Sequence, residues 1–139
     1  MEIRPVNQDR MLWDKTIKLA ENCSFPAVHR LSDRMRINDF ADWERVIAAA
    51  EDGSVAGFCV LEENGNIPDN FDCKPFINFV FVDEKWRGQR ISEKMIRFAL
   101  DYAEELGYKK VYTQDHRHHT DKLKRSCQQS FVNSSFNYE

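Results

Sequence analysis

The sequence lacks the features typical of secreted proteins, of membrane-spanning proteins and of proteins with a structural metal site. Its four cysteines are spread along the chain without a Cys-x-x-Cys pair, and no apolar run approaches the roughly 20 residues of a membrane span. The first residues also lack the basic-then-apolar order of a secretory leader. These absences predict a cytoplasmic protein with reduced thiols and no membrane partner.

An excess of positive charge is also missing. Twenty Lys and Arg stand against 23 Asp and Glu, which gives a net charge of −3 and excludes a generally basic surface for nucleic acid. Any cationic binding site must therefore be local. The 139 residues, 42% of them hydrophobic, suffice for one packed core and leave no room for two. We expect a single domain over residues 1–139.

The spacing of apolar residues in the first half predicts strands and helices in turn. Residues 1–6 alternate like a short strand, and Asp9 can cap a helix that runs to Ala20. A second helical stretch runs from Val28 to about residue 37, with a row of Arg on a face expected to be solvated. Residues 43–51 and 54–62 then form two antiparallel strands, joined by the hairpin signal Asp52-Gly53.

The second half contains the most regular pattern. Phe76 to Val82 is almost entirely apolar and predicts a buried central strand. A long amphipathic helix from Ile91 to Leu106, which Gly107 ends, and a strand over 108–113 complete a parallel β-α-β unit. Residues 117–139 show no clean period, so this atypical tail receives no assignment. The chain is thus expected to be an α/β domain with a mixed sheet.

The loop between the central strand and the long helix concentrates positive charge. It reads Val82-Asp-Glu-Lys-Trp-Arg-Gly-Gln-Arg-Ile-Ser92, and Lys85, Arg87, Arg90 and Lys94 supply the basic side chains. A tight turn that opens a helix points unpaired backbone N–H groups and the positive helix end at one spot, where a pyrophosphate can bind. The alternative is an ordinary polar turn with no ligand.

These residues resemble the acetyl-CoA loop of the GNAT N-acetyltransferase superfamily, Arg/Gln-x-x-Gly-x-Gly/Ala. Arg87-Gly88-Gln89-Arg90-Ile91-Ser92 matches its frame, and the resemblance extends over residues 43–116. Arg90 replaces the first motif glycine. Either its φ is ordinary, or its guanidinium supplements the contact to pyrophosphate.

The resemblance implies a mixed twisted sheet flanked by helices and acetyl-CoA as cosubstrate. By family analogy, the pyrophosphate would lie on Arg87, Gly88, Gln89, Arg90 and Ser92, and the pantetheine arm would contact the exposed backbone of Val80, Phe81 and Val82. The implied reaction is direct acetyl transfer to a primary amine. The sequence does not identify that acceptor.

The residues that would move protons are less clear. Relatives commonly carry a Tyr-x-x-x-Gly-Phe segment after the fifth strand, but residues 115–127 contain neither Tyr nor Gly, and the final strands look shortened or absent. The C-terminus is therefore expected to be truncated or rewritten, as a frameshift would do. His116 is the predicted base because its ordinary pKa lies closest to neutrality. Glu62 and Asp72, acting through water, are alternatives, as is a merely solvated His116.

Three further hypotheses follow from the tail. Without the tyrosine motif, the domain could bind acyl-CoA without turning it over. His116, His118, His119 and Cys127 include zinc-ligand types, but adjacent histidines rarely face one ion, so we expect no metal. The apolar residues between Leu123 and Phe136 are expected to dock on the sheet or on a second subunit, as in a homodimer.

Overall fold

The computed structural model describes residues 1–63, 75–114 and 127–131. Within these ranges the strands and helices, in chain order, are β1 (Glu2–Pro5), α1 (Arg10–Glu21), α2 (Pro26–Arg36), β2 (Arg45–Glu51), β3 (Ser54–Glu62), β4 (Phe76–Val82), α3 (Ile91–Glu105), β5 (Lys110–Gln114) and β6 (Cys127–Phe131). A short 3₁₀ turn, Glu84–Trp86, precedes α3. None of the helices in these ranges is long and apolar enough to cross a membrane.

One mixed sheet carries all the described strands in the order β1-β2-β3-β4-β5-β6. β4 and β5 run parallel, whereas the other neighbouring pairs are antiparallel. Helices α1 and α2 cover one face around a core that includes Leu12, Leu31 and Phe58. Helix α3 covers the other face, where Met95 and Leu100 contact the sheet. The predicted α/β fold with a mixed sheet flanked by helices and a parallel β4-α3-β5 unit is confirmed.

Two local predictions are confirmed by the backbone geometry. The Asp9 side chain accepts a hydrogen bond from the Leu12 N–H at 3.1 Å and so caps α1. Asp52 and Gly53 both have positive φ, +52° and +77°, as a two-residue hairpin turn requires. The strands that they join pair as expected from the sequence, although β2 begins at Arg45 rather than at residue 43.

Strand β4 contains a bulge that the sequence did not reveal. Val60 pairs with Asn78, and Phe58 pairs with Phe81. Between these two pairs β4 advances by three residues and β3 by two, so β4 has one extra residue. Phe79 adopts φ +55°, which is strained for an L-residue with a large side chain. The strand therefore bends in its middle, immediately before the residues predicted to contact pantetheine.

The final strands are expected from the sequence to be shortened or absent, and residues 127–131 show that one of them is present as a short strand. Cys127–Phe131 forms β6, which pairs antiparallel with β5 from Lys110–Phe131 to Gln114–Cys127. This strand forms without a clean hydrophobic period because the hydrogen bonds that join it to the edge strand β5 depend on backbone groups rather than on side chains. Part of the tail thus docks on the sheet, one of the two alternatives expected from its apolar residues.

Candidate functional site

The two parallel strands stay paired only at the beginning of β4. Within the described residues, their register contains Phe76–Tyr112 and Ile77–Thr113 and no later pair. The first three residues of β4 are buried, whereas Phe79 to Val82 are only half-buried. The predicted buried strand is therefore right in extent but open in its second half. In the part of the chain that the structure describes, the N–H and C=O groups of this second half have no strand partner on the β5 side.

The loop after β4 is held by its own backbone and by one aspartate. Asp83 accepts a hydrogen bond from the Glu84 N–H at 2.9 Å and begins the 3₁₀ turn, which closes with Arg87 N–H donating to the Glu84 carbonyl at 3.2 Å. Trp86 packs against the α3 side of the core and anchors the turn. Residues 87–90 are all exposed, so a ligand can reach them.

Two residues of this loop have left-handed backbone conformations. Gly88 has φ +85° and Arg90 has φ +59°. Arg90 is the N-cap of α3 and its side chain caps no N–H group there. Backbone N–H groups of such turns at a helix start converge into an anion-binding concavity. A Cβ at Gly88 would meet no atom within 4 Å, so this glycine is required by its φ rather than by crowding.

The first interpretation of Arg90, an ordinary φ, is wrong. Arg90 takes the left-handed conformation that the motif glycine would take, because the chain must turn sharply there to start α3. Its guanidinium lies 3.8 Å from the Glu93 carboxylate, and both side chains are exposed. Exposed ion pairs of this kind are weak, so a more highly charged anion can compete for the guanidinium.

Arg87 folds back over the end of β4. Its Nε donates to the Val82 carbonyl at 3.0 Å, and its guanidinium carbon lies 5.9 Å from the centre of the Phe81 ring. These two contacts orient the side chain and leave the outer guanidinium nitrogens available for an anion. The loop thus supplies oriented backbone donors and two arginines on one exposed turn.

A buried polar cluster lies on the opposite, α1/α2 face of the sheet. Arg34 of α2 donates from Nη1 to Glu62 Oε1 at 2.7 Å, and the Glu62 side chain is only 6% exposed. Glu44 is also buried, and its carboxylate accepts from the backbone N–H groups of Ala41 and Glu63 at 2.7 and 2.9 Å. The expectation that the arginines of α2 are simply solvated is therefore wrong for Arg34. The sequence showed no signal for this pair, because its partners lie 28 residues apart.

Burial raises the pKa of the Glu62 carboxyl. The Arg34 guanidinium opposes that rise, and the negative charge of Glu44 adds to it. The Asn78 amide, one strand away, also lowers the pKa of this carboxyl, yet its Nδ2 makes no hydrogen bond of ordinary geometry within the described residues. A carboxylate with a raised pKa in a polar, water-excluded cluster is the kind of group that accepts protons in enzymes.

The predicted site residues are partly united by the fold. Residues 80–82 end β4, and residues 87–92 follow the short 3₁₀ turn and lead into α3. Glu62, an alternative base at the end of β3, lies near Asn78 of β4. His116 and Asp72, together with the possible zinc ligands His118 and His119, lie outside the described residues, and no group of metal-binding side chains occurs within the described ranges.

Comparison with known proteins gives matches in fold. No curated protein sequence matches the chain. An aminoglycoside 6'-N-acetyltransferase complexed with coenzyme A is 14% identical with a TM-score of 0.60, over 84% of this chain and 64% of that one. The AAC(6')-Iy enzyme in complex with a bisubstrate analogue is 19% identical, with a TM-score of 0.60 and coverages of 86% and 82%. The glucosamine-6-phosphate N-acetyltransferase of Arabidopsis thaliana is also 19% identical, with a TM-score of 0.55 and coverages of 81% and 80%.

The chain thus spans slightly under two thirds of the first of these relatives and about four fifths of the other two. At these identities the matches establish the fold alone. The model of the acetyltransferase (GNAT) family matches residues 13–125, which include the open strand β4, the loop and α3. The chain is a member of the GNAT acetyltransferase family.

Proposed function

We propose that the protein is an N-acetyltransferase that moves an acetyl group from acetyl-CoA to a primary amine. The observation that carries this proposal is the continuity of the open end of β4 with the cationic turn that begins α3. An extended thioester ligand with a pyrophosphate needs both features, one beside the other. Solved relatives of the same fold are complexed with coenzyme A, which supports the choice of ligand.

The turn would bind the pyrophosphate. The N–H groups at the start of α3, around Ser92, and the guanidinium groups of Arg87 and Arg90 would neutralise its charge, and Gly88 and Gln89 would complete the turn. The backbone of residues 80–82, which the described part of β5 does not pair with, would hydrogen-bond the pantetheine arm, which is extended like a strand and carries amide groups.

The chemistry follows from the position of the open strand. An amine held on the α1/α2 side of the sheet can attack the thioester carbonyl once it has lost its ammonium proton. The C–N bond then forms, the C–S bond breaks, and the CoA thiolate leaves and takes up the second proton. His116 remains the predicted base on sequence grounds. The two buried cysteines, Cys23 and Cys59, are free thiols, which is consistent with our placement of the protein in the cytoplasm.

The alternative is a domain that binds acyl-CoA without turning it over. It is favoured by one observation, the absence of a Tyr-x-x-x-Gly-Phe segment after residue 113. General acid–base groups contribute roughly 10²- to 10⁴-fold to such reactions, so loss of an acid slows transfer rather than abolishing it. The two functions are therefore distinguished by slow turnover against none.

Two measurements on the full chain test the proposal. Calorimetric titration with CoA reports binding, and a thiol-release assay with acetyl-CoA over a panel of aminoglycosides, polyamines, arylalkylamines and peptides reports transfer. We expect saturable CoA binding and acetylation of at least one amine. Binding without thiol release above the hydrolysis rate would favour the non-catalytic domain, and no binding at all would contradict both.

A further inference from the structure

We propose that Glu62 accepts the ammonium proton of the acceptor amine and that Asn78 is the positioning residue beside it. This inference rests on the proposed acetyl transfer and names the acceptor side of the same site. It assigns the role of base to Glu62 of the sheet in place of His116, the base predicted from the sequence. The acceptor class it implies is a primary amine that binds as a cation.

Glu62 and Asn78 lie close together on the adjacent strands β3 and β4. The pairing of Val60 with Asn78 puts Asn78 beside the end of β3, where Glu62 lies. Val60 and Phe79 both belong to the α1/α2 side of the core, opposite to α3. The bulge therefore presents Asn78 and its neighbour Phe79 on the face away from α3, at the point where β4 opens.

Each of these two side chains has one buried polar atom without a hydrogen bond of ordinary geometry in the described residues. Asn78 Oδ1 accepts from the Phe79 N–H at 2.9 Å, which fixes the amide at the bulge. Within the described residues, Asn78 Nδ2 and Glu62 Oε2 are both buried without a hydrogen-bond partner. Glu62 is 4% and Asn78 9% exposed. The Asn78 amide lies close enough to the Glu62 carboxyl to lower its pKa, yet neither atom has a hydrogen bond of ordinary geometry. A small polar group between the two strands would satisfy both atoms.

The charges around Glu62 define what that ligand is. From α2 it faces Arg34, from the segment before β2 it faces Glu44, and from β4 the neutral amide of Asn78. Two carboxylates against one guanidinium leave one negative charge. Both oxygens of Glu44 are already bonded to backbone N–H groups, and Arg34 Nη2 donates to the Asp39 carbonyl at 3.2 Å. Arg34 is paired with Glu62 Oε1, and within the described residues Glu62 Oε2 is the one oxygen of these two carboxylates without a hydrogen-bond partner. An ammonium group bound there would neutralise the excess negative charge of the cluster.

The proton balance is closed by residues and reactants already named. One proton passes from the ammonium to Glu62 Oε2, through a water molecule that accepts from Asn78 Nδ2, which leaves a neutral amine. That amine forms the C–N bond as the C–S bond breaks, and the proton lost from nitrogen goes to the CoA thiolate. Glu62 then returns its proton to solvent.

The first test needs no turnover. Carbon NMR of protein labelled at the glutamate carboxyls follows each titration in the presence of saturating CoA, with Glu62 identified by the signal lost in Glu62→Gln. Neamine, spermidine and phenylethylamine hydrochlorides are the probes. We expect the Glu62 midpoint to lie above the ordinary glutamate value of 4.5 and to fall when at least one probe is added. A midpoint that no probe changes would overturn the proposal.

The second test uses the probe amine that is acetylated fastest. Glu62→Gln should lower kcat/KM for the amine on the order of 10²-fold and remove the acidic limb of its pH profile, with the Kd of CoA unchanged. Asn78→Asp keeps an oxygen for the Phe79 N–H and should move that limb to higher pH, because a second carboxylate raises the pKa of Glu62. Glu105→Gln, which alters an exposed carboxylate, should behave as wild type.

The outcomes separate this inference from the proposed function. An active Glu62→Gln protein with its acidic limb intact would overturn the role of Glu62 and leave acetyl transfer standing. A wild-type protein that binds no CoA would contradict the proposed function. The NMR titration, repeated without CoA, would then still decide whether Glu62 binds an ammonium group.

Discussion

The cationic turn, which follows the end of β4, and the buried cluster, on the α1/α2 face of the sheet, meet opposite physical requirements. The turn at 87–90 is exposed and contiguous in sequence, and its binding groups include backbone N–H donors at the helix start. The cluster around Glu62 is buried and assembled from α2, the segment before β2, β3 and β4. A site for a large solvated anion can be made locally, whereas a site that must shift a pKa needs the low dielectric that only packing provides.

This difference separates binding from stability. Charges in the turn are screened by water, so their loss should affect a bound ligand more than the fold. Charges in the cluster have been removed from water, so the loss of one partner should affect the fold itself. Paired substitutions in the two regions can break or sharpen that contrast.

The largest effect is expected from Arg34→Leu. Removal of the guanidinium leaves Glu62 buried without its cation, and the free energy of unfolding should fall by roughly 2 kcal/mol, less than for a fully buried pair because 27% of the Arg34 side chain is exposed. The loss should shrink as pH falls and Glu62 takes up a proton. Urea denaturation at about pH 7 and about pH 5 measures both quantities.

The matched control is Arg36→Leu on the same helix. Arg36 pairs with Glu21 at an exposed position, so the unfolding free energy should not change measurably. Equal losses for the two variants would show that the helix, rather than the buried pair, accounts for the effect of Arg34.

The next effect concerns ligand affinity. Arg87→Ala together with Arg90→Ala should raise the Kd of CoA at least tenfold, about 1.4 kcal/mol, with little change in unfolding free energy. Calorimetry measures the affinity. Arg10→Ala with Arg30→Ala removes the same charge from exposed positions on α1 and α2, and its Kd should stay near wild type. Similar losses in both double variants would mean that overall charge attracts the ligand and the turn does not.

A smaller effect separates backbone from charge at one position. Arg90→Gly should stabilise the protein by about 1 kcal/mol relative to Arg90→Ala, because only glycine adopts the observed φ of +59° without strain. Thermal melting of the two variants gives the difference. If the variants melt together, the left-handed conformation of Arg90 is not a source of strain.

The smallest effect is a slope in stability with pH. The folded pKa of Glu62 lies above the ordinary value of 4.5, so between these two values the folded chain binds more protons than the unfolded chain. Stability should therefore decrease as pH rises through that window and level off above the folded pKa. Unfolding free energies of Glu62→Gln, compared with Glu105→Gln, should lack this component of the slope.

The features that the sequence predicted are those encoded by neighbouring residues. The extent of β4, the amphipathic face of α3, the Asp9 cap and the Asp52-Gly53 hairpin each follow from a pattern within one segment. The pairing of Arg34 with Glu62, the bulge at Phe79 and the docking of β6 each depend on segments distant in the chain. Secondary-structure propensity and hydrophobic periodicity describe neighbouring residues only, so they could not predict these long-range contacts.

The bulge in β4 has a consequence for how substitutions in this strand will act. Side chains of a regular strand alternate between faces, but here Asn78 and Phe79 both serve the α1/α2 side, and Val80 and Val82 contact the α3 core. Deletion of Phe79 would restore strict alternation without exchanging the faces of Val80 and Val82. A regular β4 one residue longer, with Phe79 kept, would instead send both valines toward α1 and α2 and place Phe81 against α3. The one left-handed residue of β4, Phe79, thus determines which face of the sheet each of the side chains of residues 80–82 lies on.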